Sequence, residues 1–457
     1  MTSILLIYPH FNPSRKRSSF LFPPLGLGYV ASALRENGHR VDILDCTFLK
    51  VAEARRRAEA SGAEVVGIYS MASMRQEAIV FARLLRRRTQ LLVAGGPEPS
   101  SDPASFLDDF DLVVMGEGEE TVLELLGALK EESDLGSLRG IAYRRGRRGD
   151  LVRAGEPGGG AVVVTEGRPH REDLDSIPFP ARDLFPNEDY IRYWREHFGT
   201  ATTSVITTRG CPFACEFCSR SVFGTSYRER SAGNVLDEVE EVLDLGYDHI
   251  HFSDDVFTLN RERVLDICRD IRKRGLSFSW ECLCRVDGID PAVAEAMRVA
   301  GCQRVLFGIE SGSDAVLSLM RKRITVQKAE EAVSTARSAG LKTGAFFILC
   351  YPGETDETVL QTLRFATRLP LDYLSFTAPH PLPGTPLYER VKEEMGCLDA
   401  SRKDGAIFCG GFSEGKVKFA KVKGEVEFNI RIHFGRGASL FVVPFEAVTD
   451  RIFGLMK

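Results

Sequence analysis

The sequence predicts an α/β protein: a doubly wound parallel sheet, then a partial (β/α)6 barrel, then a small β-rich module. Three observations predict it. Residues 1–135 alternate short apolar runs with amphipathic stretches, the pattern of a parallel sheet covered on both faces. Residues 196–390 repeat strand then helix six times, which suits a partial barrel better than a closed eight-fold one. From about residue 400 the chain alternates polar and apolar residues with Gly turns, the period of antiparallel strands.

The first region contributes five apolar runs: "SILLIY", "RVDILD", "EVVGIY", "QLLVAGG" and "DLVVMGEGE". Each ends near Gly, Ser, Asp or Pro, and helical stretches such as Met74–Arg88 separate them. The strand ends read "YPHFNP", "YSMASM", "GGPEPS" and "GEGEET". Ligands of such sheets bind at the carboxyl ends of the strands. Glycines there admit a large ligand to the backbone, and the following helix N-termini hold polar groups. Ordinary βα-turn chemistry accounts for the same letters, so the pattern alone defines a ligand-ready α/β domain.

Residues 136–195 read as linker and strap. "RGIAYRRGRRGDLVRAGEPGGGAVVV" is rich in Gly and Arg and predicts a hairpin; its basic cluster is read as solvated surface rather than a phosphate site. "DLDSIPFPARDLF" predicts a proline-rich strap. The six barrel strands are placed at Thr203–Thr208, His249–Ser253, Ser277–Cys282, Arg304–Ile309, Gly344–Leu349 and Tyr373–Thr377. In residues 391–457, "KVKFAKVKGEVEFNIRIHFGRGASLFVVPF" predicts the β module, with a short helix running to Lys457.

Composition narrows the function classes. The chain has 457 residues, 44% of them hydrophobic, and a net charge of −5. Nothing overall points to nucleic acid or an anionic membrane, and no apolar run is long enough to span a bilayer. The start "MTSILLIYPH" lacks a basic n-region, so a cytoplasmic setting is expected. There the eleven cysteines are expected to be reduced or metal-bound rather than paired. They are unevenly placed: only Cys46 precedes residue 200.

Three of them crowd the loop "TTRGCPFACEFCSR": Cys211, Cys215 and Cys218, in C-x3-C-x2-C spacing with no fourth cysteine close by. Protein iron–sulfur clusters normally take four thiolates; three leave one iron open to a substrate or cofactor. Structural zinc and simple buried cysteines are the other readings. Zinc wants four closed ligands, usually as paired knuckles, and the second pair is missing. The C-x-C at Cys282 and Cys284 on a later strand is a possible source of a further ligand, because alternate strand residues point the same way.

The loop resembles the radical SAM superfamily motif C-x3-C-x-aromatic-C, with Phe217 as the aromatic residue. The resemblance implies a [4Fe-4S] cluster on Cys211, Cys215 and Cys218, with S-adenosylmethionine (SAM) filling the vacancy and cleaved to a 5′-deoxyadenosyl radical. It also implies the SAM contacts. Ser253, Asp254 and Asp255 stand where relatives carry a Gly-Gly-Glu turn for the methionine ammonium. Glu281 and Arg285 are placed at the third strand end, where Arg285 suits the carboxylate. Glu310 and Ser311 of "FGIESG" would hold the ribose, and Ile348 of "FFILCYPGET" would pack on adenine. "PLPGTPLY" would line the substrate cavity.

A doubly wound domain before such a barrel resembles the cobalamin-binding branch of the superfamily. The matching stretches are "PPLGLGYVASAL", "GGPEPS", "DLVVMGEGEET" and "LDSIPFPARDLF". The implied cobalamin contacts are Leu25, Gly26, Ser70, Met71, Met74, Gly95, Gly96, Glu98, Gly116, Glu117 and Gly118. The motif D-x-H-x-x-G is absent, so cobalamin without a histidine ligand is expected. Ser70, Met71 and Met74 would then cover its lower face, and His10 would serve its own loop. The resemblance implies radical C-methylation: methyl transfer from methylcobalamin to an unactivated sp3 carbon, at two SAM per turnover, with an electron donor such as ferredoxin or flavodoxin. No protein acid or base is assigned. The best substrate guess is a protein or peptide side chain, such as a glutamine of methyl-coenzyme M reductase, docked on an edge of the terminal β module. Small natural products, hopanoid lipids and tetrapyrroles are the other substrates. Radical cyclisation or rearrangement is the alternative activity. Transfer-RNA methylthiolation is disfavoured by the cysteine-poor front half, and a non-enzymatic sensor by the intact barrel motifs.

Overall fold

A computed structural model describes residues 1–10, 18–146, 151–155, 160–395 and 411–456. Five strands form the parallel part of the first sheet: β1 (Ser3–Tyr8), β2 (Arg40–Asp45), β3 (Val65–Tyr69), β4 (Leu91–Gly95) and β5 (Leu112–Val114). They coincide with the five apolar runs. Two antiparallel strands, β6 (Ile141–Arg145) and β7 (Ala161–Val164), continue the sheet in the order β2-β1-β3-β4-β5-β6-β7. This is the hairpin expected of the linker, and it extends the first sheet. Ile4, Leu5, Leu6 and Ile7 are all buried because helices cover both faces. Leu5 and Ile7 belong to one core cluster, Ile4 and Leu6 to another, as period-two side chains require. The chain reverses direction across the sheet between β1 and β3, which opens a crevice at their carboxyl ends.

The proline strap crosses the helix Leu25–Glu36. A Cβ at Gly28 would stand 2.8 Å from Pro180 Cβ and 2.9 Å from the Phe185 ring; only glycine admits the strap this closely. The helix Asn187–Phe198 then ties the sheet to the barrel, with Tyr190 donating to Asp45 at 2.7 Å.

The second sheet begins with β8 (Thr202–Val205). A short antiparallel ribbon, β9 (Thr208–Arg209) with β10 (Arg228–Glu229), follows it. Then come β11 (His249–Phe252), β12 (Ser279–Cys284), β13 (Cys302–Glu310), β14 (Lys342–Ile348) and β15 (Tyr373–Thr377). The six parallel strands run β15-β14-β13-β12-β11-β8, a partial (β/α)6 barrel. One shift matters. The third strand runs to Cys284 rather than Cys282, because Trp280, Cys282 and Cys284 alternate into the core. Glu281 therefore sits mid-strand, not at the mouth. Cys282 and Cys284, their sulfurs 3.5 Å apart, lie in the apolar core with Cys302.

The expected β-rich module at 391–457 is corrected. Residues 396–410 lie outside the described residues; beyond them stand two helices, Glu414–Phe434 and Ser439–Leu455. Val417, Ala420, Gly424 and Phe428 recur every three to four residues and are buried together, a helical stripe hidden within an alternating-looking string. Packing selects it: a Cβ at Gly424 would meet the Phe376 ring at 2.5 Å. The strand-like alternation instead leaves Val422 and Val426 exposed. Among the described residues no helix is long and apolar enough to cross a membrane.

Candidate active site

The cysteine loop leaves the carboxyl end of the barrel between β9 and β10 and is held from four sides. Asp254, buried, accepts from the Thr207 and Thr208 backbone N–H groups at 2.6 and 3.0 Å and from the Thr207 hydroxyl. Gly210 takes φ +84°, and a Cβ there would lie 2.1 Å from the Ser226 carbonyl oxygen. Glu216, between the second and third cysteines, accepts two bonds from Arg390 at 2.8 and 3.0 Å and one from the Tyr351 hydroxyl at 2.7 Å. Its N–H donates to the Met320 carbonyl at 3.0 Å.

Cys215 is buried; Cys211 and Cys218 are half-buried. Burial, then the neighbouring Asp255, pushes the Cys218 thiol up to about 12. Ligation requires the thiolate, so metal uptake is coupled to proton release here. Among the described residues no three His, Cys, Asp or Glu side chains converge tightly enough to hold one ion. Three thiols on one loop, without a fourth cysteine nearby in sequence, suit a cube in which each thiolate takes its own iron; a zinc knuckle wants four ligands.

Four of the residues expected to contact SAM, Arg285, Phe217, Ile348 and Glu310, lie in or around this loop. Arg285 lays its guanidinium 3.5 Å from the Phe213 ring centroid, within the loop, while bonding Asp287 at 2.9 Å. Phe217 and Ile348 meet in one apolar cluster with Val316, Met320 and Tyr351, a surface suited to a flat ring. Glu310 takes φ +74° at the end of β13 and pairs with Lys322 at 2.9 Å. Such a conformation in a non-glycine residue costs of order 1 kcal/mol or more and clusters at functional sites. Asp255 borders the cavity described next, and Ser253, beside it, is half-buried. Asp254 is committed to the loop backbone, and Ser311 to Thr362 at 3.0 Å. Glu281 lies lower in the barrel. Glu216, Lys322, Tyr351 and Arg390 were missed. Glu216 was visible inside the motif, but no local signal links it to Arg390, which lies 174 residues away.

Facing the loop, a cavity of about 410 Å³ opens at the carboxyl edge of the first sheet. Gly26, Gly95, Gly96, Gly116, Glu117 and Gly118 line it, together with Leu6, Tyr69 and Val93. Ser219–Gly224, directly after Cys218, and Asp255 close the opposite side. A Cβ at Gly26 would meet nothing within 4 Å, and one at Gly95 only the Val114 carbonyl at 3.9 Å, so backbone faces open space there. Gly96 is different: at φ +111° its Cβ would strike the Ser70 carbonyl at 2.6 Å. An adjoining hollow of about 460 Å³ shares Gly116, Glu117 and Ser221 and carries Arg168, Arg171 and Arg220. Glu36, Glu119 and Glu120 border the hollow too, and Arg168 and Arg171 are both paired with Glu120; the pair of spaces offers room for a large flat ligand. No histidine lines the first cavity among the described residues; His10 instead contacts the Leu49 carbonyl at 2.9 Å.

The remaining cobalamin candidates stand off the cavity. Leu25 packs under the strap with Tyr29, Leu174 and Ile177. Met74 is fully buried and Met71 half-buried, while Ser70 and Arg75 bond Glu98 at 3.2 and 3.0 Å. Glu117 is also an anchor: it pairs with Arg209 at 3.4 Å and Arg228 at 2.6 Å, and Glu119 pairs with Arg209 at 2.6 Å. Arg209 stacks 5.0 Å from the Tyr29 ring. The two sheets are thus joined through the residue two before Cys211.

Comparison with known proteins agrees with this architecture. Residues 205–366 match the radical SAM superfamily, and residues 16–126 match the B12 binding domain. A Pyrococcus horikoshii protein described as an uncharacterized methyltransferase is 36% identical over 399 residues, spanning 84% of this chain and 82% of its own. Two solved structures share the fold. The cobalamin-dependent S-adenosylmethionine radical enzyme OxsB, with aqua-cobalamin and S-adenosylmethionine bound, has a TM-score of 0.76 at 18% identity, over 98% of this chain and 72% of its own. The radical S-adenosylmethionine methyltransferase TsrM from Kitasatospora setae, with tryptophan substrate and a SAM analogue bound, has a TM-score of 0.70 at 22% identity, over 86% and 76%. A three-cysteine barrel loop facing a B12-type sheet edge defines a radical SAM enzyme with two cofactor sites. The chain belongs to the cobalamin-dependent radical SAM methyltransferase family, and its cofactors are a [4Fe-4S] cluster, S-adenosylmethionine and cobalamin.

Proposed function

We propose that the enzyme methylates an unactivated sp3 carbon of a small molecule, in the cytoplasm, with a ferredoxin or flavodoxin as electron donor. The observation that carries the reading is the cavity itself: glycines of the first sheet form one wall, and the residues after Cys218 form the other. Bound there together, the three cofactors supply hydrogen abstraction and a methyl group. The chain supplies position. Cys211, Cys215 and Cys218 hold the cluster on a loop fixed by Glu216–Arg390. Arg285 and Lys322 offer cationic partners for the methionine carboxylate, and Phe217 and Ile348 a surface for adenine. Gly26, Gly95 and Gly116 leave room for the corrin.

A protein substrate docked by edge pairing needs a free strand in the C-terminal module, and helices stand there instead. That favours a small molecule over a glutamine side chain of a large protein. The test is anaerobic reconstitution with iron, sulfide and cobalamin, then turnover with methyl-labelled SAM against small-molecule and peptide pools. Label on a carbon of a small molecule supports the reading. Label confined to peptide, or a rearranged product without label, refutes it.

A further inference from the structure

The helix Ser439–Leu455 is turned inside out. It carries two acids, and both face the protein: Glu446 pairs with Arg431 at 3.1 Å, and Asp450 pairs with Arg364 at 2.5 Å and Lys423 at 2.9 Å. Apolar side chains take the outward face instead. Leu440 and Leu455 are each 76% exposed, Val448 60% and Phe441 51%, and Val443 and Ile452 stand out beside them. Phe434, at the end of the preceding helix, extends the patch by packing its ring 4.6 Å from that of Phe441. Together these side chains expose on the order of 800 Å², more than the ~300–600 Å² patch of a typical monomer. Such a surface is comparable with the ~800 Å² that each partner buries in a stable protein complex.

The composition of the patch selects its occupant. A helix lying on an anionic membrane needs a cationic polar face. Here the only outward charge on the helix is Arg451, and the protein as a whole carries −5. Phe441, Val448 and Leu455 instead recur every seven residues, with the small Ala447 and Gly454 exposed beside the last two. Those are the knobs and holes by which one helix packs on another. The stripe is also complementary to itself. Two copies crossing antiparallel about a two-fold axis at Val448 set Phe441 of each against Leu455 of the other. The same register sets Arg451 level with Phe445, and a guanidinium stacks favourably on a ring. A parallel pair would bring the two Arg451 charges together.

We propose that this face is a homodimer contact: a second copy of the chain lays its own Ser439–Leu455 helix antiparallel across it. The inference is independent of the methyl-transfer reading, because molecular mass is measured without turnover. The test is analytical ultracentrifugation of the anaerobically reconstituted full-length enzyme over a dilution series. A species of twice the 50.7 kDa chain mass is expected at micromolar concentration, dissociating on dilution. Val448→Glu sets two carboxylates face to face on the axis and should raise the dissociation constant ~10-fold or more. Val448 is exposed within one chain, so the fold is spared, and an iron content equal to wild type checks this. The double variant Leu440→Ser, Leu455→Ser trims both ends of the stripe without adding charge and should weaken the dimer as well; it is read alone where Val448→Glu aggregates. A monomer at every concentration overturns the proposal, and flotation of that monomer with phosphatidylglycerol vesicles would assign the face to a membrane surface instead. A dimer whose dissociation constant neither variant changes lies elsewhere on the molecule and overturns it too.

Discussion

The two walls of the active-site cavity are made by opposite means. On the first sheet, the wall is backbone: Gly26 and Gly95 expose main chain to open space, and the neighbouring side chains are apolar. On the barrel, the wall is a loop held by buried charge, with Asp254 on its entry, Glu216 with Arg390 at its middle, and Arg209 and Arg228 on its flanks. A wall of glycine suits a large rigid ligand, because shape alone admits it. A loop that must present three thiolates at fixed spacing needs enforcement, and charge-assisted hydrogen bonds supply it. The difference shows that a glycine pattern marks where a ligand fits, while ion pairs between distant residues mark which loop must not move.

The comparison breaks most completely at the cysteines. Cys215→Ala should abolish SAM cleavage and deplete iron while cobalamin is still retained, checked by metal analysis and an anaerobic cleavage assay; retained cleavage would refute the cluster assignment. Next is the joint between the walls. Arg209→Met strands Glu119, which is largely buried, while Glu117 keeps Arg228, and should cost about 3 kcal/mol in urea unfolding, with loss of cobalamin on gel filtration.

A smaller effect sits beside the apolar cluster of Phe217, Ile348 and Tyr351. Burial pushes the Glu354 carboxyl up to about 7, although it accepts from the Tyr351 N–H at 2.7 Å. A carboxyl raised in the folded state favours folding while protonated. Its contribution is full below the unfolded value near 4.5 and disappears as pH rises through about 7. Wild type should therefore lose at most about 3 kcal/mol between pH 5 and pH 8 relative to Glu354→Gln. Parallel Tm-against-pH curves for the two proteins would contradict this. The smallest change tests the glycine wall. Gly26→Leu meets no atom within 4 Å at its Cβ, so Tm should hold while cobalamin affinity falls ~10-fold, about 1.4 kcal/mol, by equilibrium dialysis.

Much of this was legible in one dimension. The five apolar runs became β1 to β5 because parallel strands buried on both faces need unbroken hydrophobic strings. Cys211, Cys215 and Cys218 were readable as a group because they lie close in sequence on one loop. The C-terminal helices were not, since "KVKFAKVKGEVEF" satisfies a period of two and a period near 3.6 at once, and the barrel surface chose between them. Glu281 was misplaced for a related reason: the third strand lies two residues further along the chain than expected, so Glu281 falls mid-strand rather than at its end.

The sequence by itself determined where the strands run, where the ligand-bearing loops fall and which three sulfurs stand together, because periodicity, turn residues and short ligand spacings are local. Only the tertiary structure decided that Glu216 meets Arg390, that Asp254 serves the loop backbone, and that Glu281 meets Arg304 inside the barrel. Those pairings join residues tens to hundreds of positions apart, and only the closed sheet and barrel bring them within a few ångströms.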